Sequence, residues 1–538
     1  MPTAPTYPGL YVQEIPSGVH PIAGVSTSDT AFVDYFPQGP VGVATRVAGF
    51  DSFLRQFGPL LDSGSPAGYA VMQFFLNGGQ VAWIVRVVSH TAEPAGRTLT
   101  AGYSPSNTLV VSAINPGTWG QRLQVGVDWE TPAPGTQFNL VVRRLDQIGG
   151  RTVVTASEVH RNLTMAVGDP HYVVAVVSAA STLILVKEAA GGLGQPPQPT
   201  GSNLTRAGTI NDVTRDANAL GFLALENGVD GSAIGATDLT SALDALVRIA
   251  PAVVNLLCIP AAATLDGSSV AATPQLASVA GAVASFCDQN RCFYLMDIPP
   301  GVDTTTRMIN WLGANPSIRD RNAAVTFPRL RIVDPDPLRN GAMRDIGSSG
   351  TLAGVYARTD SARGIWKAPA GTATQLRGIA GPAGTPLNDS DSAQLNPLGV
   401  NVIRTLPVYG TVNWGARTLF GADVMTSEWA YVPVRRTAMY IEESLAQGLR
   451  WVVFEPNDEP LWAQIRLNVG SFMQSMFRQG AFQGATPREA YLVKCDSETT
   501  TQADIDRGIV NILVGFAPLK PAEFVFIQLQ QLTQPPDQ

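Results

Sequence analysis

Four histidines, four cysteines and a handful of acidic residues are the side chains with which this chain could do chemistry. His20, His90, His160 and His171 all lie in the first third, and none sits in an HExxH, so they offer no helical metal pair. Cys258, Cys287, Cys292 and Cys495 form no CxxC and read as reduced, partly buried thiols. No phosphate-cradling GxxxxGK[ST] occurs, since Lys367 is followed by Ala, Lys494 by Cys and Lys520 by Pro. A complete GxSxG nucleophile elbow and a helix-opening GxGxxG are also missing. Asp230 and Asp297 stand at strand or turn ends, where an open α/β sheet binds ligands. A hydrolase built on them would need a distant histidine, and Asp297 reads more simply as a strand-end cap. Glu442-Glu443 reads as a helix face paired with Arg435-Arg436. Trp414, Arg417, Trp429, Arg435 and Arg436 read as aromatic–arginine contacts within or between proteins, because no wider basic field accompanies them.

Composition supports a structural reading over a nucleic-acid one. The 538 residues carry 36 Lys+Arg against 43 Asp+Glu, a net charge of −7, with no basic block to track a phosphate backbone. Charged residues are 15% of the chain against a usual share of about 25%. Two readings fit that deficit: large cores, or a surface covered by neighbouring subunits. The opening MPTAPTYPGLYVQEIP has neither the basic nor the apolar region of a signal peptide. The most apolar run, Val173 to Val186, is too short and interrupted to span a bilayer. Both point to a chain folded in the cytoplasm. Length sets an expectation of roughly three or four domains.

The elements that must position these residues follow from periodicity. Leu10, Tyr11, Val12, Gln13, Glu14 and Ile15 form a strand with no local partner, closed by Pro16. Thr30–Val33 and Val81–Val88 read as strands around helices at Phe50–Phe57 and Ala70–Leu76. From 105 to 215, strand-like runs at Thr108–Ile114, Leu123–Trp129, Phe138–Arg144, Tyr172–Val177 and Thr182–Val186 predict an all-β insert. Ala252–Ile259 and Arg291–Ile298 are near-continuous apolar strands alternating with helices at Leu239–Ile249 and Thr273–Gln289, which predicts a mainly parallel, buried sheet. Beyond 376 come helices at Arg435–Gln447 and Glu459–Gln479, then strands at Glu489–Cys495, Gly508–Phe516 and Glu523–Leu529. The fold class is therefore α+β and α/β, multidomain: an α/β core, a β-rich inserted domain, a C-terminal α+β domain and extended N- and C-terminal β arms. The stretch from Ser349 to Leu419, dense in Gly, Pro, Trp and Arg, reads as a surface shaped to fit another protein.

That same stretch carries a resemblance. SGTLAGVYARTDSARGIWKAPAG and LNPLGVNVIRTLPVYGTVNWGARTL resemble the sheath proteins of contractile phage tails and contractile injection systems. So do YPGLYVQEIPSGVHPIAGVSTSDTAFVDYFPQGP near the start and, towards the end, WAYVPVRRTAMYIEESL, RWVVFEPNDEPLW, GATPREAYLVKCD and NILVGFAPLKPAEFVFIQLQQ. In appearance it is most similar to the antifeeding-prophage type.

The resemblance implies a non-enzymatic subunit without cofactor or metal. It would polymerise with itself as stacked hexameric rings around an inner tube protein, bounded by baseplate and terminal cap proteins, and contract to drive the tube through a target envelope. Nucleic acid and membrane insertion play no part, and particles assembled in cytoplasm would leave by lysis. The competing functions are a hydrolase on the α/β core and a static tube or baseplate protein. On this reading the domains are an arm at 1–25, a middle domain at 26–104 and 216–375, an outer insert at 105–215, an inner domain at 376–520 and an arm at 521–538. Leu10–Ile15, together with Phe524, Val525, Phe526, Ile527, Gln528 and Leu529, would add as strands to a neighbour's hairpin at Tyr491, Leu492, Val493, Lys494, Ile512, Leu513 and Val514. Arg466 and Arg478 are the candidates for facing the tube. Gly18 and Gly24 are the positions where the N-terminal arm is expected to bend.

Overall fold

The structure is a computed structural model that describes residues 20–60, 66–101, 107–148, 150–190, 194–201, 217–336 and 339–524. An eight-stranded sheet organises it. In spatial order the strands are Gly410–Asn413, Val400–Leu406, Ala323–Phe327, Phe293–Met296, Leu256–Cys258, Thr30–Asp34, Ala82–Arg86 and Thr45–Val47. The six inner strands run parallel, and the two edge strands run antiparallel to their neighbours. Both faces are covered, which is why the inner strands read as unbroken apolar runs. Ala31, Val33, Tyr294 and Met296 enter one core with the Pro274–Asn290 and Thr305–Ala314 helices. Phe32, Ile84, Phe293 and Leu295 enter the other, with the Ala67–Leu76 and Ser349–Arg363 helices. Successive side chains alternate between the two cores, as strand geometry requires.

The Ser349–Arg363 helix corrects one expectation. Its glycines do not make turns or an outer surface. A Cβ at Gly350 would lie 2.1 Å from the Ala70 carbonyl oxygen, and one at Gly354 would lie 2.5 Å from that of Phe74. Spaced four apart, the two glycines share one helix face and let two backbones touch. Most of this helix is buried inside the molecule.

The insert is built from two small sheets. One orders Leu223–Ala224, Leu123–Asp128, Gln137–Ile148 and Arg151–Thr164; the other orders Gly96–Thr100, Asn107–Ala113 and Ile184–Glu188. They share a core that runs from Ala95 to Leu225, wider than the expected 105–215. Tyr172–Val177 is no strand: Val173–Ala180 is a helix that buries Val173 and Val177, four residues apart. The sheet-forming residue types are overridden because that spacing presents both valines to the insert core.

After residue 376 the chain first completes the central sheet, through Val400–Leu406 and Gly410–Asn413. The expected boundary at 376 thus coincides with no break in the sheet. The C-terminal module proper packs the helices Val432–Gly448 and Glu459–Arg478 against the pair Tyr491–Lys494 and Leu513–Phe516.

Candidate assembly surface

The Tyr491–Lys494 and Leu513–Phe516 strands pair antiparallel, Tyr491 opposite Phe516 and Lys494 opposite Leu513. Tyr491, Val493, Val514 and Phe516 face inward onto Phe482 and its neighbours. Leu492 and Leu513 are on the other face, each about half exposed, at 53% and 51%. This sheet has two strands only, so each outer edge presents backbone groups with no strand partner among the described residues. Ile512 lies before the paired stretch and packs against the module core. Lys494 pairs with Glu498.

Of the two arms, Leu10–Ile15 and Val525–Leu529 lie outside the described residues. Phe524 is described, 70% exposed. Just before it, Glu523 is clamped by Arg417, whose guanidinium donates at 2.5 and 3.0 Å while also reaching Asp423 at 2.6 Å. The hydrogen bonds it donates to Glu523, set against burial, push the Arg417 guanidinium above its ordinary value. The chain at Glu523 is therefore fixed to the central body. Sequence reasoning placed Arg417 among aromatic contacts and missed this ion pair, because Glu523 lies 106 residues away.

The segment from His20 to Thr27 is fixed as firmly. His20 stacks on Trp451 at 4.3 Å, Ile22 packs against the C-terminal module core, and the Val25 amide donates to Ser444 Oγ. Arg436 donates to the Thr27 carbonyl while holding Asp360 in a buried bidentate pair at 2.6 and 3.0 Å. Gly24 is no hinge: a Cβ there would lie 1.9 Å from the Tyr440 hydroxyl, so this glycine serves close packing. Gly18 lies outside the described residues.

Arg466 and Arg478 do not share a face. They are twelve residues apart on one helix, about 120° around its axis. Arg466 is engaged by Glu459 and the Cys495 carbonyl, whereas Arg478 is exposed at the helix end.

The residues weighed for catalysis are dispersed. Asp297, buried at the end of Phe293–Met296, accepts from the Ser349 amide and hydroxyl and so caps the Ser349–Arg363 helix; burial pushes its carboxyl up. Asp230 accepts from Thr118. Glu442 and Glu443 pair with Arg435 and Arg291, and Arg435 lies over the Trp429 ring at 5.0 Å. All four cysteines are free and buried, and burial pushes the Cys258 and Cys287 thiols well up, away from reactivity. Among the described residues no cluster of His, Cys, Asp and Glu is arranged to hold a metal, and no helix is long and apolar enough to cross a membrane.

What the arrangement provides is a module with open strand edges, and described chain ends, from His20 to Thr27 and at Glu523, that are anchored to the body. Residues 425–531, which include the hairpin, match the family model of the phage tail sheath C-terminal domain. This C-terminal segment is similar to the C-terminal domain of phage tail sheaths. Solved structures extend the likeness to the whole sheath-type fold. The helical sheath of the anti-feeding prophage in its contracted state is 21% identical, with a TM-score of 0.53 over 98% of this chain and 100% of that one. The sheath complex of the extracellular contractile injection system PVC, also contracted, is 19% identical, with a TM-score of 0.55 over 98% of each chain. A sheath tail protein from Listeria innocua is 11% identical, with a TM-score of 0.58 over 93% of this chain and 96% of that one. No curated protein matches. The family so matched is structural, not enzymatic.

Proposed function

We propose that this chain is the structural subunit of a contractile sheath, assembled from copies of itself as stacked hexameric rings around an inner tube. Baseplate and cap proteins bound the assembly, which forms in the cytoplasm and leaves by lysis. Contraction drives the tube through a target envelope and needs no cofactor. The observation that carries this reading is the end-to-end likeness of fold to sheaths solved in the contracted state, over 98% of this chain and 100% of the anti-feeding prophage chain. The two-stranded hairpin supports it, because its open edges suit strand addition by Leu10–Ile15 of one neighbour and the segment after Phe524 of another. Each arm then reaches a different copy, and a contact of that kind propagates along a helix. Subunits with rigid cores rotate as bodies, while the arms outside the fixed roots keep them linked.

Negative-stain microscopy of the purified full chain tests the reading. Tubes or ring stacks are the expected result. Discrete monomers at every concentration and salt would refute it.

A further inference from the structure

Phe454 has a relative exposure of 102%, and its backbone sits in the left-handed region at φ 74°. A bulky residue held in that conformation with its ring free of contacts is an outlier of the kind that gathers at ligand clamps and switch regions. It projects from the turn between the Val432–Gly448 and Glu459–Arg478 helices, beside exposed Val453 and flanked by exposed Glu455 and Asp458. The result is an aromatic knob with an acidic collar.

A groove lies past the other end of the Glu459–Arg478 helix, between it and the central body. With a volume of about 1150 Å³, the groove exposes Trp366, Trp414 and Phe524 beside Arg363, Lys367 and Lys520. Its acids are already engaged: Asp389 by Arg404, and Asp423 and Glu523 by Arg417. Arg363 and Lys520 make no ion pair among the described residues, and Lys367 donates only to the Ala368 carbonyl. Burial, and after it the neighbouring Arg363, pull the Lys367 ammonium down. Gln479 and Gly480, just past the end of the Glu459–Arg478 helix, close one side of the groove. Phe454 stands before the start of that helix. Twenty helical residues span about 30 Å, so knob and hole lie at opposite ends and a chain cannot fill its own groove.

We propose that the Phe454 knob docks in this groove on a second copy of the chain, its ring among Trp366, Trp414 and Phe524 and its carboxylates against Arg363, Lys367 and Lys520. Such a contact is head-to-tail, and closes a ring or winds a helix according to the rotation it imposes. It is separate from the strand arms, and it rests on the reading of the chain as a self-assembling subunit.

The test mixes two full-length single variants, F454C and A522C, the latter in the groove wall. The native cysteines are buried and stay silent. On oxidation, a disulfide-linked dimer is expected in the mixture and not in either variant alone. F454S, a change at an exposed site that leaves the core intact, is expected to need at least tenfold more protein to form tubes. If wild type and F454S assemble at the same concentration and the mixture gives no dimer, the contact is refuted while the assembly reading stands. A crosslink from F454C to a tube subunit instead refutes it too. Wild type that never assembles overturns both.

Discussion

Asp360 and Arg436 form the most consequential pair of single residues, each side chain 2% exposed. The Arg436 guanidinium also lies 5.2 Å from the Tyr356 ring and donates to the Thr27 carbonyl. It thereby ties the middle helix Ser349–Arg363, the C-terminal helix Val432–Gly448 and the N-terminal segment at one point. Removing one partner of a buried pair strands the other charge, which costs about 3–5 kcal/mol. R436A or D360A should lower the unfolding free energy by that amount in denaturant melts, and replacing both residues should cost less than the sum of the two. Strict additivity would show that the pair is not coupled. In the insert, burial alone would raise the Glu158 carboxyl. Hydrogen bonds from Ser181 and Thr182, with His160 Nε2 3.4 Å away, outweigh it and hold the group at about 2. A depressed carboxyl stabilises the fold fully above its ordinary value of 4.5 and loses that contribution as pH falls through about 2. E158Q should therefore flatten the acid limb of insert stability between those values and matter little to its slope above pH 5, as followed by Trp129 and Trp119 fluorescence. An unchanged acid limb would refute the assignment.

At the scale of elements, the N-terminal segment divides at His20. The stack on Trp451, the Ile22 contact and the Val25–Ser444 hydrogen bond all lie at or after it. Deleting residues 1–16 should leave a folded, soluble subunit with unaltered melting that builds no long sheaths. Deleting 1–25 should also remove the Ile22 and His20 contacts and lower stability by roughly 2 kcal/mol. Normal-length sheaths from the shorter deletion would refute the arm's role. Elements whose burial is periodic were legible in the sequence: Phe50–Phe57 begins and ends where its phenylalanine spacing predicts, and the parallel sheet follows from runs such as Phe293–Met296. Elements shaped by distant partners were not. Arg151–Thr164 is a largely exposed strand whose pairing with Gln137–Ile148 sets it, and no apolar run announces it. Arg86 sits in an apolar strand, yet is fully buried because the carbonyls of Phe36, Pro37, Gly39 and Pro116 satisfy it. The hairpin was legible as two strands, but the anchoring at Gly24 and Glu523 depends on contacts more than a hundred residues away in the chain, which local pattern does not encode.

For the whole molecule, the question is which parts assembly needs. The insert has its own core from Ala95 to Leu225, and its entry and exit strands meet at a narrow neck. Ser89 and Ser232 hydroxyls are 2.7 Å apart, the Ser232 amide donates to Thr91 Oγ1 at 2.9 Å, and Glu93 and Val229 form a backbone bridge. A short turn joining Thr91 to Ser232 can therefore replace residues 92–231 without stretching the central sheet. The excision removes two contacts to the body that the neck does not replace: the Pro116 carbonyl on Arg86, and Asp230 with its influence on Tyr35. Arg86 keeps three of its carbonyl partners, so the loss should be about 1.5–3 kcal/mol for one hydrogen bond to a charged group rather than the collapse of the strand. The hairpin, the Arg417–Glu523 clamp, Phe454 and its groove all lie outside the excised segment. The excised chain should melt cooperatively within a few degrees of the parent body and still form rings or tubes, thinner at the outer surface. A variant that folds by circular dichroism and calorimetry but never assembles would show that the insert carries subunit contacts, and would displace it from the periphery of the sheath.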